Sequence, residues 1–288
     1  HDYVSKEVIN VRENVGLIEV ANFSKHEFKG PDARKFLDHI MAGRLPKPGR
    51  ISLSPMLSYR GKLCGDLTVA CLDENEFMVF GSGAAQEMHR RWFESHIDKF
   101  NLSYSNRSDE YHGLSIAGPN SRKVLEKIVR DDVSNEKFKF RDSRRMFVGG
   151  VPAIINRISF TGELGYEIYV APHYQLKLYE ELMEAGKEFN IKPFGGRALM
   201  SMRLEKNWGA WTLDYRPDFT AKETGLDAFI NWDKEFIGKE SAQKENSSNK
   251  LVPLIVETNE IDVTNNEAVL NGDQSIGYVT SGLSLIHI

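Results

Sequence analysis

The stretch Arg157-Ile-Ser-Phe-Thr-Gly-Glu-Leu-Gly-Tyr-Glu-Ile-Tyr169 joins strand-forming residues to a glycine-containing break. The β-branched and aromatic residues from Ile154 to Phe160 predict a strand. Thr161-Gly162 and Gly165 interrupt this pattern, and residues 166–170 predict a second extended segment. The stretch therefore predicts a unit of strand, tight turn and strand.

Two carboxylates, Glu163 and Glu167, lie among the apolar residues of this unit. Because an unpaired buried charge is costly, each of them needs a partner. One explanation is a structural ion pair with Arg157 or Arg203. The other is a carboxylate that faces a heterocycle with paired N–H donors, such as a pterin. The spacing of the residues leaves both explanations open.

Composition narrows the class of protein. The 288 residues suffice for two domains, and 41% hydrophobic with 27% charged residues is ordinary for a soluble globular protein. A net charge of −4 without a basic block argues against a nucleic-acid partner. The sequence contains no run of about 18 apolar residues, so no membrane span is predicted. Cys64 and Cys71 form no metal-binding pattern, so no metal site is expected. With only these two cysteines, we expect the protein to occur in a reducing compartment.

A second pattern occurs twice. Residues 28–40 and 116–128 share a Gly-Pro-Asx start, then Arg-Lys and apolar residues at matching positions. Gly30 and Gly118 are 88 residues apart. Each copy predicts a strand, a turn and a helix that begins after the proline. We therefore expect an internal pseudo-repeat.

The rest of the chain alternates strands and helices. Residues 8–20 predict a strand pair, and an insertion at about 46–108 predicts three strands and a helix reaching about Phe100. Helices are predicted over 174–189 and 198–206, and a polar linker over 231–250. No glycine-rich dinucleotide fingerprint follows a strand.

The quoted stretch, the repeated Gly-Pro units and Arg203-Leu-Glu-Lys206 together resemble the folate-dependent aminomethyltransferase family. That family includes the glycine-cleavage T-protein and the C-terminal half of dimethylglycine and sarcosine dehydrogenases. The resemblance runs from about Val11 to Gly282. Thr220-Ala-Lys-Glu-Thr-Gly-Leu226 and Phe236-Ile-Gly-Lys239 favour the dehydrogenase branch.

The resemblance implies a fold class. It is an α+β, T-protein-like fold of several subdomains around a central folate channel, followed by the start of a C-terminal β-barrel domain. Residues 1–235 would form the folate-binding domain, with the inserted subdomain at about 46–108. Residues 236–288 would begin the barrel, which is expected to be truncated.

The resemblance also implies site residues. Asp66 falls on the carboxylate that lies beside the folate nitrogens in the family, which makes it the expected catalytic residue, and Glu167 falls on the pterin-binding glutamate. The other expected folate-binding residues are Gly65, Leu67, Phe160, Ile168 and Tyr169. Phe160 replaces a stacking Tyr, Gly65 replaces the first Asp of an Asp pair, and Leu199 replaces an Arg of the T-protein. A strand-entry acid that makes only a turn contact is the alternative for Asp66.

The expected function is transfer of a one-carbon unit from an N-methylglycine-derived iminium to tetrahydrofolate, forming 5,10-methylenetetrahydrofolate. A free-standing T-protein acting on an aminomethyl-lipoyl carrier is one alternative. A folate-binding accessory protein of the iron–sulfur-assembly type, without transfer chemistry, is another. Tetrahydrofolate is the expected cofactor, and FAD is expected only in an upstream flavin half of the same full-length chain. The expected location is the cytoplasm, or the mitochondrial matrix in a eukaryote.

Both ends of the chain carry expectations. His1 would fall near the junction with the flavin half. The last six residues, Leu283–Ile288, match the translation of a common transposase sequencing adapter, so we expect them not to be native and to be poorly packed.

Overall fold

A computed structural model describes residues 2–257 and 262–282 of the chain. The helices are Asp2–Glu13 (α1), Ala33–Ile40 (α2), Gln86–Glu94 (α3), Ser121–Ile128 (α4), Gln175–Gly186 (α5), Gly196–Glu205 (α6), Ala221–Thr224 (α7) and Lys239–Gln243 (α8). The strands are Val15–Glu19 (β1), Ser24–Lys29 (β2), Arg50–Leu57 (β3), Leu63–Asp73 (β4), Glu76–Gly81 (β5), Ser103–Asn106 (β6), His112–Ala117 (β7), Ser143–Val148 (β8), Val151–Asn156 (β9), Gly165–Val170 (β10), Ile191–Pro193 (β11), Ala268–Asn271 (β12) and Gln274–Tyr278 (β13).

Two large sheets organise the molecule. A six-stranded sheet has the order β11-β1-β7-β10-β9-β8, and a five-stranded sheet has the order β3-β4-β5-β2-β6. All pairs are antiparallel except β1 with β11. The mixture of helices and mainly antiparallel sheets agrees with the expected α+β class.

Each sheet buries one face under helices. On the six-stranded sheet, Tyr166 and Ile168 of β10 pack in one core with Leu125 of α4 and Leu178 of α5. On the five-stranded sheet, β4 packs in a second core with Phe36 of α2 and Phe93 of α3. Strand side chains alternate between faces, so each sheet has a second face to be covered.

These second faces pack against each other. Phe80 and Met78 of the five-stranded sheet share a core with Tyr169 and Ile154 of the six-stranded sheet. The rings of Phe80 and Tyr169 have centroids 4.6 Å apart. The same alternation places Asp66 on the face of Phe80, since Thr68 is directly paired with Phe80, and Glu167 on the face of Tyr169.

The pseudo-repeat is confirmed. β2 leads into α2 and β7 leads into α4 through the two Gly-Pro turns. The backbone φ is +134° at Gly30 and +130° at Gly118, a region that residues with a Cβ rarely adopt. The repeated glycine therefore has a conformational reason in both copies.

The strand pair expected over residues 8–20 is wrong in its first half. Residues 2–13 form α1, and only Val15–Glu19 is a strand. Val8 and Val11, three residues apart, pack with Phe194, Ala198 and Met202. This helical spacing was present in the sequence, but the β-branched residues suggested strands instead.

The unit at the quoted stretch differs in detail. β9 ends at Asn156, and an irregular connection over residues 157–164 replaces the expected tight turn before β10. Gly162 has φ +88°, and the Ser159 and Thr161 hydroxyls bond to each other at 2.8 Å. The strand propensity of Ile158 and Phe160 is thus overridden by local turn bonding.

The structure refines the expected boundaries. β2 belongs to the five-stranded sheet, so that subdomain begins near residue 24, earlier than the expected 46. Phe236 and Ile237 are buried in cores formed with earlier residues, although the barrel was expected to begin at 236. Within residues 236–257 and 262–282 the strands form one hairpin, β12–β13, and no closed barrel. Residues 283–288 lie outside the described residues.

Candidate functional site

Asp66 lies in the middle of β4 and faces the six-stranded sheet. Asp66 is partly buried, and its carboxylate has no salt-bridge partner among the described residues. Removal from water raises the pKa of the Asp66 carboxyl to about 7, opposed only by a bond from its own backbone N–H. A carboxyl with a pKa in this range can take up and release a proton near neutral pH.

Glu167 is the second acid of the interface between the sheets. It is 9% exposed, and its Oε2 accepts a 2.9 Å hydrogen bond from the Tyr169 hydroxyl. Burial raises the pKa of Glu167 to about 7, while the Tyr169 hydroxyl and the charge of Lys206 act in the opposite direction. No salt bridge to Glu167 occurs within the part of the chain that the structure describes. One oxygen thus remains for an outside donor.

Two lysines, Lys206 near Glu167 and Lys25 beside the Tyr169 ring, were not among the site residues expected from the sequence. Lys206 Nζ donates to the Ser159 carbonyl at 2.9 Å. Lys25 is fully buried, its Nζ donates to the Ala21 carbonyl at 2.6 Å, and it lies 5.8 Å from the centre of the Tyr169 ring. Burial lowers the pKa of Lys25 to about 8. In the sequence, the one sign of this buried lysine is its position inside the strand pattern of β2.

His89 of α3 supports the strand that carries Asp66. Its Nε2 lies 3.0 Å from the Cys64 carbonyl, which can only accept, so Nε2 carries the proton. A Cβ on Gly65 would lie 2.9 Å from this nitrogen. The glycine beside Asp66 therefore leaves room for the close approach of His89, a role that its match to an Asp in the T-protein did not suggest.

The remaining expected site residues divide into two groups. Phe160 is partly buried in the connection before β10, and Gly65 and Tyr169 adjoin the two acids. Leu67 and Ile168 are fully buried on the opposite faces of their strands, in the helix-covered cores. Alternate strand residues point to opposite faces, so these two side chains lie away from Glu167. For Ile168 this differs from the expectation that it lines the same pocket as Glu167.

The ion-pair explanation for the two glutamates is also corrected. Glu163 pairs with Arg12 of α1 at 3.0 Å, not with Arg157 or Arg203. Arg203 pairs with Asp214 at 2.7 Å. Glu167 bonds to a neutral tyrosine, which leaves its charge available for a ligand.

Chemically, the site offers two protonatable acids on facing sheets, together with aromatic rings. Acids poised near neutral pH suit proton transfer. Among residues 2–257 and 262–282, no group of three His, Cys, Asp or Glu could hold a metal ion. In the same residues, no helix has the length and apolar character of a membrane span.

Comparison with known proteins defines the class. The family model of the GCVT N-terminal domain matches residues 1–234, and the chain belongs to that family. The aminomethyltransferase of Thermoanaerobacter pseudethanolicus is 30% identical over 279 residues, covering 94% of this chain and 75% of that protein. The aminomethyltransferase T of the glycine cleavage system from Bartonella henselae has the same fold, with a TM-score of 0.83 over 96% of this chain at 22% identity.

Within the family, the mitochondrial dimethylglycine dehydrogenase of Mus musculus is 36% identical over 287 residues. The human protein of that name is 34% identical over the same length. Each match covers 97% of this chain, which spans about a third of the length of these dehydrogenases. The resemblance inferred from the quoted stretch is thus confirmed, and the relatives are enzymes.

Proposed function

We propose that this chain binds tetrahydrofolate between its two sheets and transfers to it a one-carbon unit from an N-methylglycine-derived iminium. The product would be 5,10-methylenetetrahydrofolate. The observation that carries this proposal is the pair Asp66 and Glu167. Both lie on facing sheet surfaces, both have a pKa raised to about 7 by burial, and neither forms a salt bridge among the described residues.

Glu167 fits the pterin end of a folate. A pterin offers adjacent N–H donors, and the Glu167 carboxylate has one oxygen bonded to Tyr169 and a second oxygen for a ligand. Charge-assisted hydrogen bonds of this kind are the stronger ones, and they favour the ionised carboxylate. Tyr169 adjoins Glu167, and Phe160, which is partly buried in the connection before β10, is proposed to supply aromatic surface to the pterin.

Asp66 fits the proton transfers that the reaction needs. A folate nitrogen attacks the iminium carbon, the amine leaves, and the second folate nitrogen closes the ring. In the balanced reaction, the two folate N–H protons end on the departing amine. A carboxyl with a pKa of about 7 can accept and return a proton at neutral pH, and its anion stabilises the cation that develops during transfer.

The donor is proposed to be the imine of dimethylglycine or sarcosine, formed by a flavin-containing part of the full-length protein. The match to mitochondrial dimethylglycine dehydrogenases supports this choice. The alternative donor is an aminomethyl-lipoyl carrier, as for a free-standing T-protein. The similarity to aminomethyltransferases, three quarters of whose length this chain covers, supports that alternative.

A direct experiment separates the candidates. Tetrahydrofolate binding to the chain is measured by calorimetry, and transfer is followed with sarcosine oxidised in situ by a separate amine oxidase. The expected result is binding together with methylenetetrahydrofolate in place of free formaldehyde. Transfer only from an aminomethyl-lipoyl carrier would favour the T-protein. Binding without transfer from either donor would favour the accessory role.

A further inference from the structure

The ion pair between Arg203 and Asp214 is buried and unused by the proposed reaction. The two side chains are 1% and 4% exposed, and Arg203 Nη1 lies 2.7 Å from Asp214 Oδ2. A buried ion pair is tolerated when additional hydrogen bonds satisfy its remaining groups. The residues that supply those hydrogen bonds show which segments of the chain the ion pair joins.

Two hydroxyls from the C-terminal segment complete the pair. Thr280 Oγ1 donates to Asp214 Oδ1 at 2.6 Å. Ser281 Oγ donates to Asp214 Oδ2 at 2.9 Å and accepts from Arg203 Nη2 at 2.6 Å. Among the described residues, Thr280 is the only partner of Oδ1. The pair is thus joined to a segment 66 residues further along the chain.

The same pair holds residues 208–215, which we name the aromatic loop. Asp214 Oδ2 accepts from the Ala210 amide at 2.9 Å, and Arg203 Nη1 donates to the Trp208 carbonyl at 3.0 Å. Tyr215 closes the loop, since its hydroxyl accepts from the Gly209 amide at 3.1 Å. The loop conformation therefore depends on Asp214.

The aromatic loop lies against the strand of Asp66. The Leu63 amide of β4 donates to the Phe219 carbonyl at 2.9 Å, and Leu63 shares a core with Tyr215. The Trp211 ring lies 6.1 Å from the His89 ring, and His89 donates to the Cys64 carbonyl. Tyr215, at the C-terminal end of the loop, thus shares a core with Leu63, and Trp211, in its middle, reaches the Cys64 carbonyl by way of His89; Leu63 and Cys64 are within three positions of Asp66.

We propose that Thr280 and Ser281 are positioning residues for Asp66, acting through the Arg203–Asp214 pair and the aromatic loop. The two hydroxyls fix the Asp214 carboxylate, Asp214 fixes the loop, and the loop covers one side of the Asp66 strand. The transfer role of Asp66 is that of the proposed function, on which this part of the inference rests. The C-terminal segment is therefore a component of the site.

The test compares three variants of the full chain. Thr280→Val with Ser281→Ala removes both hydroxyls, whereas Thr280→Ser keeps the hydroxyl and is the conservative variant. Ser275→Ala is the matched control, because its hydroxyl makes only a 3.5 Å bond to the Gly277 carbonyl in the same hairpin. Hydrogen exchange is measured at the loop amides and, as a check of folding, at the amides of β4 and β5.

We expect the loop amides of Ala210, Asp214 and Tyr215 to exchange at least about tenfold faster in the double variant, with β4 and β5 unchanged. Thr280→Ser and Ser275→Ala should match the wild type. The transfer rate should fall about tenfold in the double variant, and this loss should largely disappear when Asp66 is already Asn. Such non-additivity is expected only if the hydroxyls act through Asp66.

Unchanged exchange at the loop would overturn the proposal, because the hydroxyls would not hold it. A rate loss that simply adds to that of Asp66→Asn would overturn it as well. If the wild type neither binds folate nor transfers, the proposed function fails. In that case, exchange at the loop still decides whether Thr280 and Ser281 position it.

Discussion

Asp66 and Glu167 show how the position of a single residue in a strand sets its chemistry. Each lies on the strand face that packs against the other sheet, where burial raises both pKa values to about 7. Leu67 and Ile168, one residue further along the same strands, are fully buried in the helix-covered cores. The two-residue period of a strand thus separates residues of the candidate site from core residues.

Asp66→Asn should separate chemistry from binding. The amide keeps the shape of the side chain but takes up no proton and stabilises no cation, so the transfer rate should fall about a hundredfold or more. Tetrahydrofolate affinity should stay within about tenfold, or about 1.4 kcal/mol. Formaldehyde trapping and methylenetetrahydrofolate absorbance are read on one sample. A variant that transfers at the wild-type rate would make Asp66 structural.

Glu167→Gln should weaken tetrahydrofolate binding by about 1.5–3 kcal/mol, because a hydrogen bond to a charged acceptor is lost. Since N–H donors favour the ionised carboxylate, wild-type binding near pH 6.5 should also release a proton, and the variant should not. Calorimetry in buffers of different ionisation enthalpy measures both effects. Glu163→Gln is the matched control, because Glu163 pairs with Arg12 outside the site. Equal affinity in wild type and Glu167→Gln would remove Glu167 from the site.

At the scale of elements, the two strand-turn-helix units depend on their turn glycines. Gly118 connects β7 to α4 with φ +130°, and a Cβ there would lie 2.5 Å from the Val11 carbonyl and 2.6 Å from that of Asn14. This turn therefore packs directly on the end of α1. The repeat has a steric reason as well as a conformational one.

Gly118→Ala should be clearly more destabilising than Gly150→Ala. Both glycines have positive φ, but an added Cβ at Gly150 meets nothing within 4 Å. The control should cost about 1–2 kcal/mol of unfolding free energy for the left-handed conformation alone. Gly118→Ala should cost at least that strain, because φ +130° lies outside the left-handed region, plus the clash with two backbone carbonyls, which cannot move aside independently. Urea unfolding measures both variants, and equal losses would contradict the steric argument.

At the scale of the whole molecule, buried ionisable groups set the dependence of stability on pH. His26 and His89 are buried, and burial lowers their pKa values to about 3 and about 4. Their stabilising contribution is complete above about pH 6.5, the unfolded value, and is lost as pH falls towards the folded values. Asp66 and Glu167 have raised folded pKa values, so their effect runs the other way, and stability falls as pH rises from about 4 to about 7.

Without the two acids, the pH dependence of the unfolding free energy should therefore show the effect of the two histidines. In an Asp66→Asn, Glu167→Gln double variant, the unfolding free energy between pH 4.5 and 6.5 should fall more steeply on acidification than in the wild type. The difference should approach about two protons, one for each carboxyl removed. Urea unfolding at half-unit pH steps measures it, and each single variant should give about half the change. Parallel curves would mean that both carboxyls titrate normally in the folded chain.

The sequence by itself determined the repeated Gly-Pro turns and the family, because these depend on local patterns, and the family resemblance in turn implied the class of fold. Strand propensity placed β3, β4, β5 and β10, and the Gly-Pro-Asx starts placed α2 and α4. Where local signals conflict, tertiary contacts prevailed. The valines of α1 form a helix because their face packs on Phe194 and Met202, and Ile158 and Phe160 lie in an irregular connection.

Only the tertiary structure decided which residues of the motifs come together in the candidate site. Asp66 and Glu167 are 101 positions apart, and packing of the two sheets at Phe80 and Tyr169 places them on facing surfaces. The roles of His89, Lys25 and the Arg203–Asp214 pair could not be assigned from the sequence, even where a residue stood in a recognised motif, since these roles arise from contacts between distant segments. A linear pattern records the spacing along one element, whereas burial and the pKa shifts that it causes depend on which elements pack together.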